Sequence, residues 1–131
     1  MIRVLNLLFA VLFALSAALQ YNDPDPVQWA LEYLAAAGLA VAMAWRASLG
    51  EQVRFLVGTV AVLLAVVTFV WMLDWAPGMR EFIARGDLSL LVASMHAGDP
   101  VIEEGREFLG LAIVFVYSLC VIFSFRRRRP G

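Results

Sequence analysis

Four long apolar stretches, separated by shorter polar ones, dominate the pattern along this chain. They cover about residues 4–20, 27–45, 54–74 and 106–125. Each is close to the ~20 residues that an α-helix needs to cross the ~30 Å hydrocarbon core of a bilayer. The pattern therefore predicts an all-α membrane protein, with residues 1–131 forming a single four-helix transmembrane bundle.

The polar gap between the third and fourth stretches is the longest, and it has a helical periodicity of its own. Apolar residues recur at helical spacing from Met79 to Ile83 and again from Leu88 to Met95. Short helices with one apolar face commonly lie in the membrane interface. We expect one or two short amphipathic interfacial helices at about residues 78–97, with a break near Gly86.

The gap between the first two stretches predicts a tight turn. Asp25 precedes Pro26 where the second helix should begin, and aspartate at the N-cap followed by proline at the first helical position favours a helix start. Asp99 and Pro100 repeat this pair before the fourth stretch. The first two helices should therefore form an antiparallel hairpin, and the fourth helix should begin at Pro100.

Composition and charge agree with a membrane protein and predict its orientation. Hydrophobic residues make up 63% of the chain, against ~45–50% in soluble domains. Arg3, Arg46, Arg54 and the arginine run at 126–129 lie on one side of the predicted bundle, where Glu51 is the only carboxylate. Because arginine excess marks the cytoplasmic side, both termini should be cytoplasmic in a bacterial-type inner membrane. Membrane topology explains these arginines, so we expect no nucleic-acid site. The apolar composition implies that lipid surrounds the protein.

The N-terminal stretch has a second interpretation as a cleaved signal peptide of about 18 residues. It begins with a basic residue, has an apolar core and ends in small residues at 16–18. Small and polar residues also recur at every fourth position, at Asn6, Ala10, Ala14 and Ala18. Such a ridge is more typical of a helix that packs in the mature protein. Cleavage would leave three spans in the same orientation.

Glu32 is an acidic residue about two turns inside the second predicted helix, where an ionised group is costly. Alanines follow it on the same face, at positions 36, 40 and 44. Because small residues let another helix approach closely, Glu32 should face a helix interface rather than lipid. Arg106 lies at a matching depth, so we expect the two to form an ion pair in the outer leaflet. The alternative is a carboxylate that binds a ligand or handles protons.

Polar residues gather on the predicted outer side and form a candidate site. Its members are Asn22, Asp23, Asp25, Glu32, Asp74, Glu103, Glu104, Arg106 and Glu107. The helix dipole favours acids in a first turn, which explains one or two of them but not the whole set. Carboxylate oxygens suit a hard divalent cation, although the spacing matches no established metal loop. A metal therefore stays an open alternative, and the residues indicate no cofactor and no catalytic group.

Two segments are similar to those of a known family. Residues 19–26 read LQYNDPDP and are followed by Trp29 and Tyr33, and residues 103–111 read EEGREFLGL. With the four apolar stretches, these segments resemble the transmembrane protein 220 family. The resemblance implies a small multi-pass membrane protein and supplies no established activity, cofactor or catalytic residue. It also implies that the two segments form the important surface of the protein.

Three classes of function remain. The protein acts through its outer face as a partner subunit, a homo-oligomer or a small-ligand binder, and this is the interpretation that we favour. A membrane enzyme would use Glu32 or the carboxylates at 103–107 as acid or base. A transporter or channel would require oligomers, and the spans carry no evident charge near their middle, where transport proteins often place one.

Overall fold

The computed structural model describes residues 1–23, 25–86, 89 and 100–126 of the chain. Among these residues the regular structure is helical, without strands. The helices are α1 (Ile2–Leu19), α2 (Pro26–Ala44), α3 (Glu51–Arg85) and α4 (Pro100–Arg126). Short 3₁₀ turns, Gln20–Asn22 and Arg46–Ser48, follow α1 and α2. All four helices are long and apolar enough to cross a membrane, as the four apolar stretches of the sequence predict.

The bundle consists of two helical hairpins. α1 packs mainly against α2, α3 packs mainly against α4, and α2 joins the two pairs through smaller contacts with α3 and α4. The buried face of α2 is the predicted stripe, in which Glu32 is followed by Ala36, Ala40 and Ala44. Ala36 and Ala40 are fully buried, as are Ala61 of α3 and Val114 of α4. Small side chains therefore allow the helices to approach closely at the centre.

The buried face of α1 differs from the predicted ridge. Its buried residues are Asn6, Ala10, Phe13 and Ala17, so the every-fourth-residue prediction is right for two positions and wrong for Ala14 and Ala18. A helix has 3.6 residues per turn, so positions on one face recur after three or four residues. The buried positions of α1 follow this spacing.

A buried hydrogen bond ties α1 to α4. The Tyr117 hydroxyl donates to Asn6 Oδ1 at 2.6 Å, and Asn6 Nδ2 donates to the Ile2 carbonyl oxygen at 3.0 Å. The rings of Phe9 and Phe13 pack on Tyr117, with centroids 5.1 and 5.5 Å away. The polar groups of Asn6 and Tyr117 therefore satisfy each other between the two hairpins.

The third helix is much longer than predicted. α3 continues through Pro77 to Arg85, so its predicted end near residue 74 is wrong, and residues 78–85 do not form a separate interfacial helix. At 1.5 Å per residue its 35 residues span ~52 Å, beyond the ~30 Å hydrocarbon core. The helix ends at Gly86, whose φ of 71° is left-handed, as the predicted break requires. The rest of the predicted amphipathic segment, apart from Ser89, lies outside the described residues.

The extension of α3 is helical because its apolar face packs against α4 instead of the membrane interface. Phe82 of α3 and Ile102 of α4 are both buried. Gly78 and Gly105 leave room for this contact, since a Cβ atom at Gly105 would lie 3.1 Å from the Phe82 ring. The first turns of α4 are thereby fixed against the end of α3.

Candidate functional site

The two ends of the bundle differ in charge. We call one the acidic end, which comprises the turn after α1, the start of α2, the residues of α3 around Trp75 and the first two turns of α4. The opposite end, called here the arginine end, carries Arg3, Arg46 and Arg54. The candidate site predicted from the sequence belongs to the acidic end.

An aspartate turn shapes the acidic end. α2 begins at Pro26 with Asp25 at its N-cap, as predicted, but the Asp25 side chain makes no capping hydrogen bond. Instead the backbone N–H of Asp25 donates to Asp23 Oδ1 at 2.9 Å. Aspartate commonly forms such a bond to the backbone two residues further on. Asp23 thus closes the turn that leads into α2, and no side chain of the described residues caps the first turn of this helix.

A cleft of about 270 Å³ opens at the acidic end, between the aspartate turn and the first turns of α4. We call it the acidic cleft. Its lining residues are Asp23, Asp25, Trp29, Trp75, Pro100, Glu103, Glu104 and Glu107. Carboxylates from two separate parts of the chain therefore border one concave space. The proximity of the turn and the start of α4, which the sequence predicts, is present in the structure.

Three of these carboxylates converge closely. Oxygens of Asp23, Glu103 and Glu107 lie within 4.8 Å of one another. Glu103 and Glu107 share one face of α4 because they are four residues apart. Negative charges at this separation repel each other, so a positive charge placed among them would be stabilised. In addition, Glu107 Oε2 is buried and has no hydrogen-bond partner among the described residues.

Glycine fixes the position of a fourth carboxylate. Gly78 of α3 is buried, and a Cβ atom there would lie 2.5 Å from Glu104 Cβ. The Glu104 side chain thus rests on the backbone of α3, at a distance that only a glycine permits. The first turns of α4 therefore pack directly against the backbone of α3 at this point.

Three tryptophans connect α2 and α3 beside the acidic cleft. The Trp29 ring centroid lies 6.0 Å from that of Trp71 and 6.4 Å from that of Trp75. Trp29 is buried, so it is packed between helices rather than directed at lipid. Trp29 and Trp75 give the acidic cleft an aromatic wall beside its carboxylates. The sequence pattern does not indicate that Trp29 and Trp75 form this wall, although both residues lie near the same end of their predicted spans.

The structure brings together only part of the predicted site. Five of its carboxylates line the acidic cleft: Asp23, Asp25, Glu103, Glu104 and Glu107. Asn22 and Asp74 are exposed and do not line it. Glu32 and Arg106 are also absent from its lining. That the five carboxylates lining the acidic cleft form a functional site stays a prediction.

Glu32 lies on a different side of α2, and the predicted ion pair with Arg106 is wrong. Both carboxylate oxygens of Glu32 are buried without a hydrogen-bond partner among the described residues. The reason lies in the helix geometry, because neighbouring positions are about 100° apart. Tyr33 is the residue that faces α4, where a Cβ atom at Gly110 would collide with its hydroxyl oxygen. Glu32 therefore points toward α3 instead.

A second cleft, of about 360 Å³, lies between α2 and α3 where Glu32 is located. We call it the lateral cleft. Its wall is formed by Gln28, Leu31, Glu32, Ala35, Val60, Leu63, Leu64, Val67 and Trp71. It shares no lining residue with the acidic cleft. These two clefts are therefore separate, one lined by carboxylates and tryptophans and the other almost entirely apolar.

Comparison with known proteins identifies a family and no structural relative. The family model described as transmembrane family 220, helix, matches residues 12–123. These residues include all of α2 and α3, most of α4, the C-terminal part of α1 and every residue that lines the acidic cleft. No solved structure matches the chain.

Proposed function

Since this chain belongs to the transmembrane protein 220 family, we propose that it is a ligand-binding membrane protein whose acidic cleft takes a small organic cation. The observation that carries the proposal is the excess of negative charge in one concave space. Asp23, Glu103 and Glu107 have oxygens within 4.8 Å of one another. A bound cation would reduce their mutual repulsion, and Glu107 Oε2 has no hydrogen-bond partner among the described residues that already offsets its charge.

The aromatic wall favours an organic cation over a bare ion. Trp29 and Trp75 border the same cleft as the carboxylates. An ammonium group is attracted to the face of an indole ring, and aromatic residues recur in sites that recognise quaternary ammonium ligands. The cleft volume of about 270 Å³ is close to the lower end of the ~300–1,000 Å³ found for small-molecule sites. A small amine with a short apolar part fits both the walls and the volume.

A divalent cation is the second candidate ligand, and one observation favours it. Calcium binds carboxylate oxygens at ~2.3–2.6 Å, so ligand atoms around one ion lie up to ~5 Å apart. The 4.8 Å limit for the oxygens of Asp23, Glu103 and Glu107 agrees with such a geometry. In that case the tryptophans are structural, and the cation stabilises the contact between the aspartate turn and α4.

Binding to the purified protein in lipid nanodiscs tests the proposal. Isothermal titration calorimetry with tetramethylammonium and butylammonium, and separately with calcium and magnesium chlorides, distinguishes the two candidates. We expect saturable binding of the amines. Glu103→Gln should weaken the affinity for the amines, and Trp75→Ala should weaken it further. Binding that only the divalent ions show, and that Trp75→Ala leaves unchanged, would favour the second candidate. If no cation binds, the proposal is wrong.

Asp74→Asn is the matched control for the charge changes. Asp74 is an exposed carboxylate on α3, next to Trp75 in sequence, and it does not line the acidic cleft. Its neutralisation alters the net charge as Glu103→Gln does, but leaves the cleft unchanged. We therefore expect the affinity for the cation to be retained. An equal loss in both variants would show that only the overall field of the protein attracts cations.

The proposal includes the orientation of the acidic end toward the outside of the cell. It is supported by the arginines of the opposite end, because arginine excess marks the cytoplasmic side. Reporter fusions after Leu49 and after Gly131 should read as cytoplasmic, and a fusion after Gly98 should read as external. The reverse pattern would place the cleft in the cytoplasm and change the pool of available ligands.

A further inference from the structure

The turn between α2 and α3 brings together three arginines from different parts of the chain at the arginine end. Arg46 lies in the turn itself, Arg3 in the first turn of α1 and Arg54 in the first turn of α3. The Arg3 guanidinium contacts the ring of Trp45, which precedes Arg46 in the chain. Arg54 Nε donates to the carbonyl oxygen of Leu49 in the same turn. The three positive charges are therefore grouped around one short segment.

The fold holds two of these side chains without using all of their N–H groups. A guanidinium carries five N–H donors. Arg54 uses its Nε for the bond to Leu49, and its other N–H groups form no hydrogen bond or ion pair with the described residues. Arg3 contacts the Trp45 ring and likewise forms no hydrogen bond or ion pair with the described residues. Both arginines are exposed, so these donors can reach a molecule at the surface.

The charge of this end favours an anion. Glu51 is its only carboxylate, and among the described residues it forms no ion pair with Arg3 or Arg54. Three arginines against one carboxylate leave an excess of positive charge, and the sequence adds four more arginines at 126–129. Clusters of arginine beside a membrane-spanning helix attract anionic lipid headgroups.

The surroundings of the arginines favour a lipid over a free anion. Trp45 is 41% exposed, and tryptophan at the end of a membrane span lies at the level of the headgroups. Phe55 directly follows Arg54 and is 78% exposed, and Leu5, two residues after Arg3, is 53% exposed. An occupant of this surface thus meets guanidinium N–H groups and apolar side chains next to them. A molecule that joins an anionic group to hydrocarbon chains matches both.

The anionic group that fits best is a phosphodiester. Its two non-bridging oxygens match two parallel N–H groups of a guanidinium, which binds phosphate in this bidentate manner. In a zwitterionic lipid, an ammonium group balances the phosphate, and the excess positive charge of the arginine end would repel it. A headgroup with a net negative charge does not meet this repulsion.

We propose that the arginine end binds anionic phospholipid headgroups, whose phosphates accept hydrogen bonds from the guanidinium groups of Arg3 and Arg54. The acyl chains of these lipids cover the exposed apolar residues next to the two arginines. The site lies at the opposite end of the bundle from the acidic cleft, so it does not depend on the cation site proposed above. It also does not depend on which side of the membrane this end faces.

Native mass spectrometry of the full chain in detergent tests this site. The probes are phosphatidylglycerol and phosphatidylcholine with identical dioleoyl chains, and the dissociation constant is measured for each. We expect phosphatidylglycerol to bind roughly 20-fold more tightly, because each arginine near an anionic headgroup contributes about a fivefold gain. Glycerol phosphate and oleate test a free phosphate and a fatty acid as alternative sources of the anion. Equal affinities for the two phospholipids would overturn the proposal, as would binding of glycerol phosphate or oleate as tight as that of phosphatidylglycerol.

Variants separate these arginines from the overall charge of the protein. Arg3→Gln and Arg54→Gln should each reduce the preference for phosphatidylglycerol about fivefold, and the double variant should remove most of it. The control is the double variant Arg80→Gln and Arg85→Gln, which removes the same charge from exposed positions of α3 near the acidic end. It should keep the preference. An equal loss in both double variants, or a preference that survives the loss of Arg3 and Arg54, would contradict the proposal.

The readout is the ratio of two affinities in one variant, so a change in packing that weakens both lipids alike does not alter it. If Arg3→Gln does not fold, Arg54→Gln alone decides, because a preference unchanged in that variant would overturn its role. Glu103→Gln, which alters the acidic cleft, should leave the ratio unchanged. Failure of cation binding and failure of lipid preference are therefore distinguished by different variants and different probes.

Discussion

The two ends of the bundle treat their charged groups differently. At the arginine end, the Arg46 guanidinium donates to the Ser124 carbonyl oxygen, and Arg54 Nε donates to the Leu49 carbonyl oxygen at 2.8 Å. The Arg3 guanidinium lies 4.6 Å from the ring centroid of Trp45. At the acidic end, Glu32 and Glu107 instead have buried oxygens without hydrogen-bond partners among the described residues.

This difference indicates where a bound ligand would stabilise the protein. The arginines are held by carbonyl oxygens and aromatic rings that the fold itself supplies, so their positions do not depend on a ligand. The carboxylates face each other across a cleft, and the described part of the chain does not supply hydrogen-bond donors for all of them. The two ends differ in the sign of their charged groups, and they also differ in whether the fold supplies partners for those groups.

The largest expected effect comes from the support beneath the acidic end. Gly78→Ala should lower the free energy of unfolding by about 1–3 kcal/mol, the usual cost of overpacking, because the added Cβ would lie 2.5 Å from Glu104 Cβ. Gly58→Ala in the same helix is the control, since nothing lies within 4 Å of its Cβ. Chemical unfolding in detergent measures both. Equal changes in stability in the two variants would show that the contact between Gly78 and Glu104 does not limit the packing of α3 against α4.

An effect of similar size and opposite sign should come from the unpartnered acid. Glu32→Leu should raise the free energy of unfolding by about 1–3 kcal/mol in detergent, because it removes buried acceptors that lack a partner. Glu81→Leu is the control, because the exposed pair of Glu81 and Arg85 should contribute less than ~1 kcal/mol. A loss of ~3–5 kcal/mol in Glu32→Leu would instead indicate that Glu32 has a charged partner.

Repulsion within the acidic cleft should give a gain on the order of 1 kcal/mol when one carboxylate is neutralised without added cation. Glu107→Gln should therefore raise the free energy of unfolding at neutral pH and low salt, and the gain should shrink as salt screens the charges. Asp74→Asn should show neither the gain nor its salt dependence. A salt-independent gain in Glu107→Gln would attribute the effect to packing.

The smallest effect should come from the arginine end. Arg3→Gln should lower the free energy of unfolding by about 0.5–1 kcal/mol through loss of its contact with the Trp45 ring. Arg80→Gln, on the exposed side of α3, should change stability by less than ~0.5 kcal/mol. If the change in stability in Arg3→Gln exceeded the changes in the acidic-end variants, the contrast between the two ends would be wrong.

The sequence alone determined the four spans, the first hairpin and the break at Gly86. Hydrophobic length and helix-start residues are local properties, so they do not depend on how the helices assemble. The alanine stripe that follows Glu32 was likewise correct, because its period matches that of the helix. The segments 19–26 and 103–111, together with the four apolar stretches, carried the family resemblance, which the match over residues 12–123 confirms.

The sequence predicted that the aspartate turn and the start of α4 lie close together, but only the tertiary structure decided which side of α2 each polar side chain faces. A depth match between Glu32 and Arg106 says nothing about rotation, and 100° per residue turns Tyr33 toward α4 and Glu32 toward α3. The continuation of α3 to Arg85 depends on the burial of Phe82 against α4, which the periodicity of residues 78–83 does not reveal. The two clefts exist only once helix rotations and close contacts are fixed, because each is lined by side chains from different helices.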